Sequence, residues 1–268
     1  MNKSALLVLR LLGFKRTQPK TRLGKYVRRL ERALTVVALL WFGLLVFPQV
    51  WFPYNVTHQG MTIYSRTPLP QETTTRIAEI MRLVERSELA VRGRTERIFV
   101  CNNRWLFCVF SPITPRAFGF SVPVVNNVFV AEADLVQNVA RSASTVYNQY
   151  PFSSVAAHEI MHGLIGYRLG LWGEFKLPRW VKEGYCDYVA RASSFPDAEG
   201  FKLLRTGGHD PSVSFRYFTY RQMVRHLMDD QGYSFKQVAD RAGEQALVEA
   251  ETIRAIKDAG FQRESARP

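Results

Sequence analysis

His158, Glu159 and His162 stand in the pentapeptide His158-Glu159-Ile160-Met161-His162, two imidazoles and a carboxylate at the spacing a hydrolytic zinc centre requires. On an α-helix, residues four apart share a face, so both histidines can offer a ring nitrogen to one Zn²⁺ at about 2.0–2.1 Å. Glu159 lies beside that face, where its carboxylate reaches an attacking water rather than the ion; a general base belongs there. The competing reading of the pentapeptide alone is two histidines on a buried helix that merely satisfy hydrogen bonds. Ser153 and Ser154 predict the start of that helix, Val155, Ala156, Ala157, Ile160, Met161, Leu164 and Ile165 give it a buried surface, and Gly166 and Gly170 suit its end.

A catalytic zinc centre takes three protein ligands and leaves a fourth position to water, so a third ligand must be found. The extended pattern H-E-x-x-H-x-x-G-x-x-H is excluded, because Ile165 and Arg168 occupy the positions of its glycine and last histidine. Downstream, Trp180-Val181-Lys182-Glu183-Gly184-Tyr185-Cys186-Asp187-Tyr188 follows Pro178, which can open a helix, and precedes Ser193, Ser194 and Pro196, which close it. Glu183 is the candidate.

With this second segment the chain resembles the gluzincin superfamily of aminopeptidase N and thermolysin-like metallopeptidases, over roughly residues 155–227. The resemblance implies Glu183 as third ligand of one Zn²⁺ and Asp187 as the carboxylate holding the outer N–H of His158. It implies a tyrosine donor for the oxyanion, with Tyr220 at the matching position of Phe215-Arg216-Tyr217-Phe218-Thr219-Tyr220 and Tyr217 able to fill the same role from a helical turn earlier; His226 and His209 are alternative donors. It also implies an edge strand that pairs with extended substrate, for which Asn127, Val128, Phe129 and Val130 are the expectation. The fold class implied is α+β: a thermolysin-like catalytic domain with a small mixed sheet and a mainly helical C-terminal region, preceded by one transmembrane helix. Cys186 stands where relatives carry a small residue, and packing is its expected role.

The net charge of +13 is mostly local: residues 1–32 hold ten Lys or Arg against the single acid Glu31, nine of the thirteen, leaving +4 for everything after. So balanced a remainder is no strong polyanion binder, and nucleic acid is not an expected partner. After this basic tail comes an uncharged apolar run from Ala33 to Phe47, continuing through Val50, Trp51 and Phe52. It predicts a membrane span over 33–53, with Trp51 and Tyr54 at the far interface. Lys/Arg-rich flanks stay cytoplasmic, so the N-terminus is expected inside and the rest outside, at the cell (inner) membrane in a single pass, with a periplasmic or extracytoplasmic catalytic domain. A cleaved signal peptide fits less well, since the tail is long and no A-x-A-like site follows. The Ala5–Phe14 run, broken by Arg10, is expected to be an interfacial amphipathic piece.

Residues 54–75 read as a linker, Glu72 to Ala90 as a helix, and Ile98–Cys101, Leu106–Phe110, Ala117–Val122 and Val128–Glu132 as short strands. The catalytic domain is expected over 76–262, mostly helical after 136, with Ser234-Phe235-Lys236-Gln237 as a capping box and a frayed end at 263–268. A hairpin between the first two strands would bring Cys101 and Cys108 together; a disulfide there, in an oxidising compartment, stands against two inert buried thiols.

These expectations describe a membrane-anchored zinc peptidase acting on a peptide or protein substrate. The alternative from another class is a catalytically inactive binding or scaffolding module of the same fold, against which the complete set His158, Glu159, His162 and Glu183 argues. An intramembrane protease is excluded by hydropathy, because the motif helix runs into Arg168 and Glu174. Endopeptidase and aminopeptidase action both stay open.

Overall fold

The computed structural model describes residues 21–122 and 125–265. The Ala5–Phe14 run and most of the basic tail lie outside the described residues, as do the last three residues. The chain divides between Pro48 and Gln49 into two compact units.

In the first unit, helix α1 spans Arg22–Val46, capped by Thr21, whose hydroxyl accepts from the Gly24 amide at 3.1 Å. Its first half carries Lys25, Arg28, Arg29, Glu31 and Arg32; its second half exposes Leu34, Val36, Val37, Leu39, Leu40 and Phe42. The helix stops short of the expected boundary. Pro48 has no N–H to continue the ladder, and a 3₁₀ turn at Pro48–Trp51 follows. The apolar stretch, Ala33 to Val46, rises only about 21 Å, less than a hydrocarbon core of about 30 Å. Among the described residues no helix is long and apolar enough to cross a membrane.

The second unit has an α+β fold. Its main sheet has the order β1-β2-β3-β5-β4, with β1 Tyr54–His58, β2 Met61–Ser65, β3 Glu96–Val100, β4 Gly119–Val122 and β5 Asn127–Val130. Strands β2, β3 and β5 are parallel, and antiparallel β1 and β4 close the two edges. The stretch read as a linker from residue 54 therefore supplies a hairpin to the sheet, and the compact unit begins well before residue 76. Helix α2, Thr73–Val84, follows it.

Alternation along the strands sends side chains to opposite faces. Ile98, Val100, Val128 and Val130 join Ile77, Ile80, Ile160 and Leu164 in the main core. Phe99 and Phe129 point the other way, where Phe129 stacks on Phe110 at 4.3 Å between ring centres and Phe99 meets Phe52 at 5.2 Å.

Leu106–Phe110 is not a strand. It belongs to helix α3, Arg104–Phe110, because the Asn103 side chain accepts from the Leu106 amide at 2.9 Å and starts a helical turn. Phe107 and Phe110, three apart, then share the face that packs under the sheet. The expected hairpin does not form, and Cys101, Cys108 and Cys186 are free thiols. Burial pushes the Cys101 thiol up to about 12.

A second, antiparallel sheet of β6 Glu132–Asp134, β7 Val139–Arg141 and β8 Gln149–Pro151 leads into the helical region. This comprises α4 Phe152–Lys176, α5 Arg179–Ala190, α6 Asp197–Thr206, α7 Val213–Arg225, a π-helical turn at His226–Asp230, α8 Phe235–Asp240 and α9 Gln245–Ser265. The capping box at Ser234 and Gln237 is present, and the last helix extends to Ser265.

Candidate metal centre

Helix α4 begins at Phe152, one residue before the expected caps. Asn138, beside β7, caps it instead: its carbonyl oxygen accepts from the Ser153 amide at 2.9 Å and its amide donates to the Ser153 hydroxyl at 3.0 Å. Ser154 ties the helix to α5 by donating to the Ala190 carbonyl at 3.0 Å. At Gly170, with φ +72°, the helix breaks and resumes to Lys176, a backbone conformation an L side chain rarely adopts.

Helix α5 crosses α4 and is held by Trp180, fully buried, whose indole N–H donates to the Ala242 carbonyl at 3.0 Å. The Trp of the W-x-x-E-G segment is thus a packing anchor. Its glycine is needed for close approach: a Cβ on Gly184 would stand 2.6 Å from the Tyr220 carbonyl oxygen on α7. Without a side chain at 184, α5 and α7 touch backbone to backbone.

This arrangement brings the three expected ligands together. His158 Nε2 and His162 Nε2 are 3.2 Å apart, and Glu183 Oε2 lies 3.4 Å from the first and 3.6 Å from the second. Ligand atoms held at about 2.0–2.1 Å around a tetrahedral ion stand about 3.3–3.4 Å apart. The triangle therefore fits one zinc-sized ion, with two imidazoles and a carboxylate as donors.

His158, His162 and Cys186 also form a group whose donor atoms lie within 4.8 Å of one another and could hold a metal. The ring geometry favours Glu183 over Cys186 as third ligand. The Nε2 atoms face each other, whereas Cys186 Sγ meets His162 on its opposite edge, 3.7 Å from Nδ1. One ion cannot bind both edges of an imidazole.

The electrostatics favour a cation. Burial alone would lower His158, yet the hydrogen bond and charge of Asp187, with Glu183 and Glu159, hold it well above its ordinary value. Burial would raise Glu183, but the two imidazoles outweigh it and keep the carboxyl far below the usual range. Glu159 is raised, by burial first, against the pull of His162 and His158. Three carboxylates around two imidazoles in a closed space stabilise positive charge placed among them.

Asp187 falls where expected, accepting from His158 Nδ1 at 2.7 Å, which leaves Nε2 for the ion. Tyr150 on β8, which sequence reading missed, stands behind it: its hydroxyl donates to the Ala192 carbonyl at 2.6 Å and lies 3.3 Å from Asp187 Oδ1.

One expectation changes. Asn127–Val130 is β5, an interior strand paired with β3 on one side and β4 on the other and buried throughout, so it has no open edge for a substrate. The edge beside the centre is β4, Gly119–Val122, whose Ser121 hydroxyl bonds the Glu159 carboxylate. Apolar residues mark both strands, and runs of four residues do not tell an edge from an interior position. Tyr220 is buried in the main core and borders a surface cavity of about 200 Å³ with His209, Ser212 and Arg216. Tyr217, its ring centre 6.2 Å from that of Tyr220, has its hydroxyl pushed up by burial first and then by the charge of Glu183. His209 sits edge-on to Phe215 and His226 pairs with Asp230, so both have structural partners.

No protein-family model and no curated protein matches this chain.

Proposed function

We propose that this chain is a zinc-dependent peptidase of gluzincin type, with His158, His162 and Glu183 as metal ligands and Glu159 as general base. The observation that carries the reading is the 3.2, 3.4 and 3.6 Å triangle of donor atoms, with a further carboxylate, not itself a ligand, directly after the first histidine. Zinc bound there would polarise the scissile carbonyl and make a water acidic enough to attack near neutral pH. Glu159 takes the proton from that water and hands it to the departing amine. The Tyr217 hydroxyl donates to the oxygen that becomes negative, and the closed surroundings strengthen that bond. Strand β4, open on its outer side, offers backbone N–H and C=O groups to an extended peptide lying antiparallel or parallel to it. Gly119 keeps that strand close to the base.

We further propose that the apolar stretch Ala33–Val46 anchors the chain at a bilayer, with the basic flank cytoplasmic and the second unit outside. Support comes from the exposed apolar side chains of the second half of α1 and the basic residues of its first half.

The test is Glu159→Gln in the full-length protein. Zinc content stays at one ion per chain, while cleaved bonds, read by N-terminal profiling of membranes with and without the variant, disappear. Wild-type cleavage by the variant would remove Glu159 from the mechanism.

A further inference from the structure

The outer nitrogens of the two histidines are held differently. His158 Nδ1 donates to a carboxylate, Asp187, at 2.7 Å; His162 Nδ1 meets a sulfur, Cys186 Sγ, at 3.7 Å. Both partners come from α5, on successive residues. Glu183, Cys186 and Asp187 are spaced i, i+3, i+4, the spacing that puts three side chains on one helical face. That face meets His158 and His162, themselves i, i+4 on α4. One helix thus offers a ligand and two outer contacts to the pair of imidazoles on the other. Cys186 and Asp187 are both buried, so neither contact competes with solvent.

We infer that Cys186 is a positioning residue of the metal centre, its sulfur fixing the ring of His162 through Nδ1 as Asp187 fixes His158. This rests on the zinc-centre reading above and replaces the packing role expected for a small residue at this position. A thiol sulfur is a weak acceptor, so it orients the ring with less force than a carboxylate and adds little to the basicity of Nε2. The two histidine ligands are therefore unequal: His158 is anchored by charge, His162 by a polarisable neutral contact. Sulfur on the Nδ1 edge, facing away from the Nε2 pair, is an outer partner and not a fourth ligand.

The experiment uses the full-length chain in detergent, with zinc affinity measured by chelator competition and Co²⁺ as a spectroscopic probe. Outer partners of metal-bound histidines change affinity by about 10–100-fold when removed. Cys186→Ala is expected at the low end, about tenfold weaker, with Cys186→Ser regaining most of the loss because its hydroxyl accepts from the same N–H. The Co²⁺-loaded wild type should show ligand-field bands without the intense near-ultraviolet band of a cobalt–thiolate bond, a measurement that needs no variant to fold. Wild-type affinity in Cys186→Ala, or an equal loss in Cys186→Ser, overturns the positioning role and returns Cys186 to packing. A cobalt–thiolate band overturns it in the other direction, by making the sulfur a ligand. If the wild type itself binds neither ion, the zinc-centre reading falls first and this inference with it.

Discussion

A Cβ built on Gly119 would stand 2.9 Å from Cγ and 3.1 Å from Oε1 of Glu159, so the backbone of strand β4 lies directly against the carboxylate proposed as base. Gly119→Ala should displace that carboxylate while leaving the ligands in place. Displacing a catalytic group by about 1 Å can cost about 100-fold. We expect a fall in kcat of that order with zinc content unchanged, measured on purified protein; unchanged kcat would mean that the carboxylate has room to relax or does not act.

Tyr217 and Tyr220 separate by the same logic. Their ring centres are 6.2 Å apart on α7; the charges of Glu183, Asp187 and Glu159 act on Tyr217, while Tyr220 borders the cavity with His209. Removing one oxyanion donor costs about 10²–10³ in kcat. Tyr217→Phe should lose that much and Tyr220→Phe little. A reversed order would restore Tyr220 as the donor.

Asp187 should matter for affinity more than for folding of the metal-loaded chain. Asp187→Ala is expected to weaken zinc by about 10–100-fold, and to shrink the rise in melting temperature that saturating zinc gives the wild type, since a tenfold affinity loss removes about 1.4 kcal/mol of linkage at fixed zinc. Chelation of the wild type should lower its melting temperature toward that of the metal-free variant. Equal zinc-dependent shifts in both proteins would count against the role given to Asp187.

Glu96, at the start of β3, gives a pH dependence away from the centre. Burial pushes its carboxyl up to about 7, outweighing the pull of Arg94, whose Nε lies 2.7 Å from Oε1. A carboxyl raised in the folded state binds its proton more tightly there than in the unfolded chain. Its contribution to stability is therefore fully present below about pH 4.5 and is lost as pH rises through about 7. Glu96→Gln should flatten the fall in unfolding free energy across that window, by up to about 3 kcal/mol. Parallel pH profiles for variant and wild type would show that Arg94 keeps the carboxylate charged after all.

The sequence alone paired the candidate donors within each helix, because helical spacing is local. Residues four apart share a face whatever surrounds them, so His158 with His162, and Glu183 with Asp187, could be paired from their numbers. That the two helices would meet with these faces together came from the resemblance, and the glycine at 184 that lets α5 approach α7 was visible only as a member of a motif.

Tertiary structure decided the rest. Leu106–Phe110 has the aromatic content of a strand and becomes a helix because Asn103 caps it and the sheet takes Phe107 and Phe110 on one side. Asn127–Val130 reads like an edge strand and lies inside the sheet, since strand order is a property of chain crossings and leaves no mark on so short a pattern. Cys186 looked like filler until the edge of His162 it touches was known; a contact between two helices depends on their crossing, which no spacing within either one records.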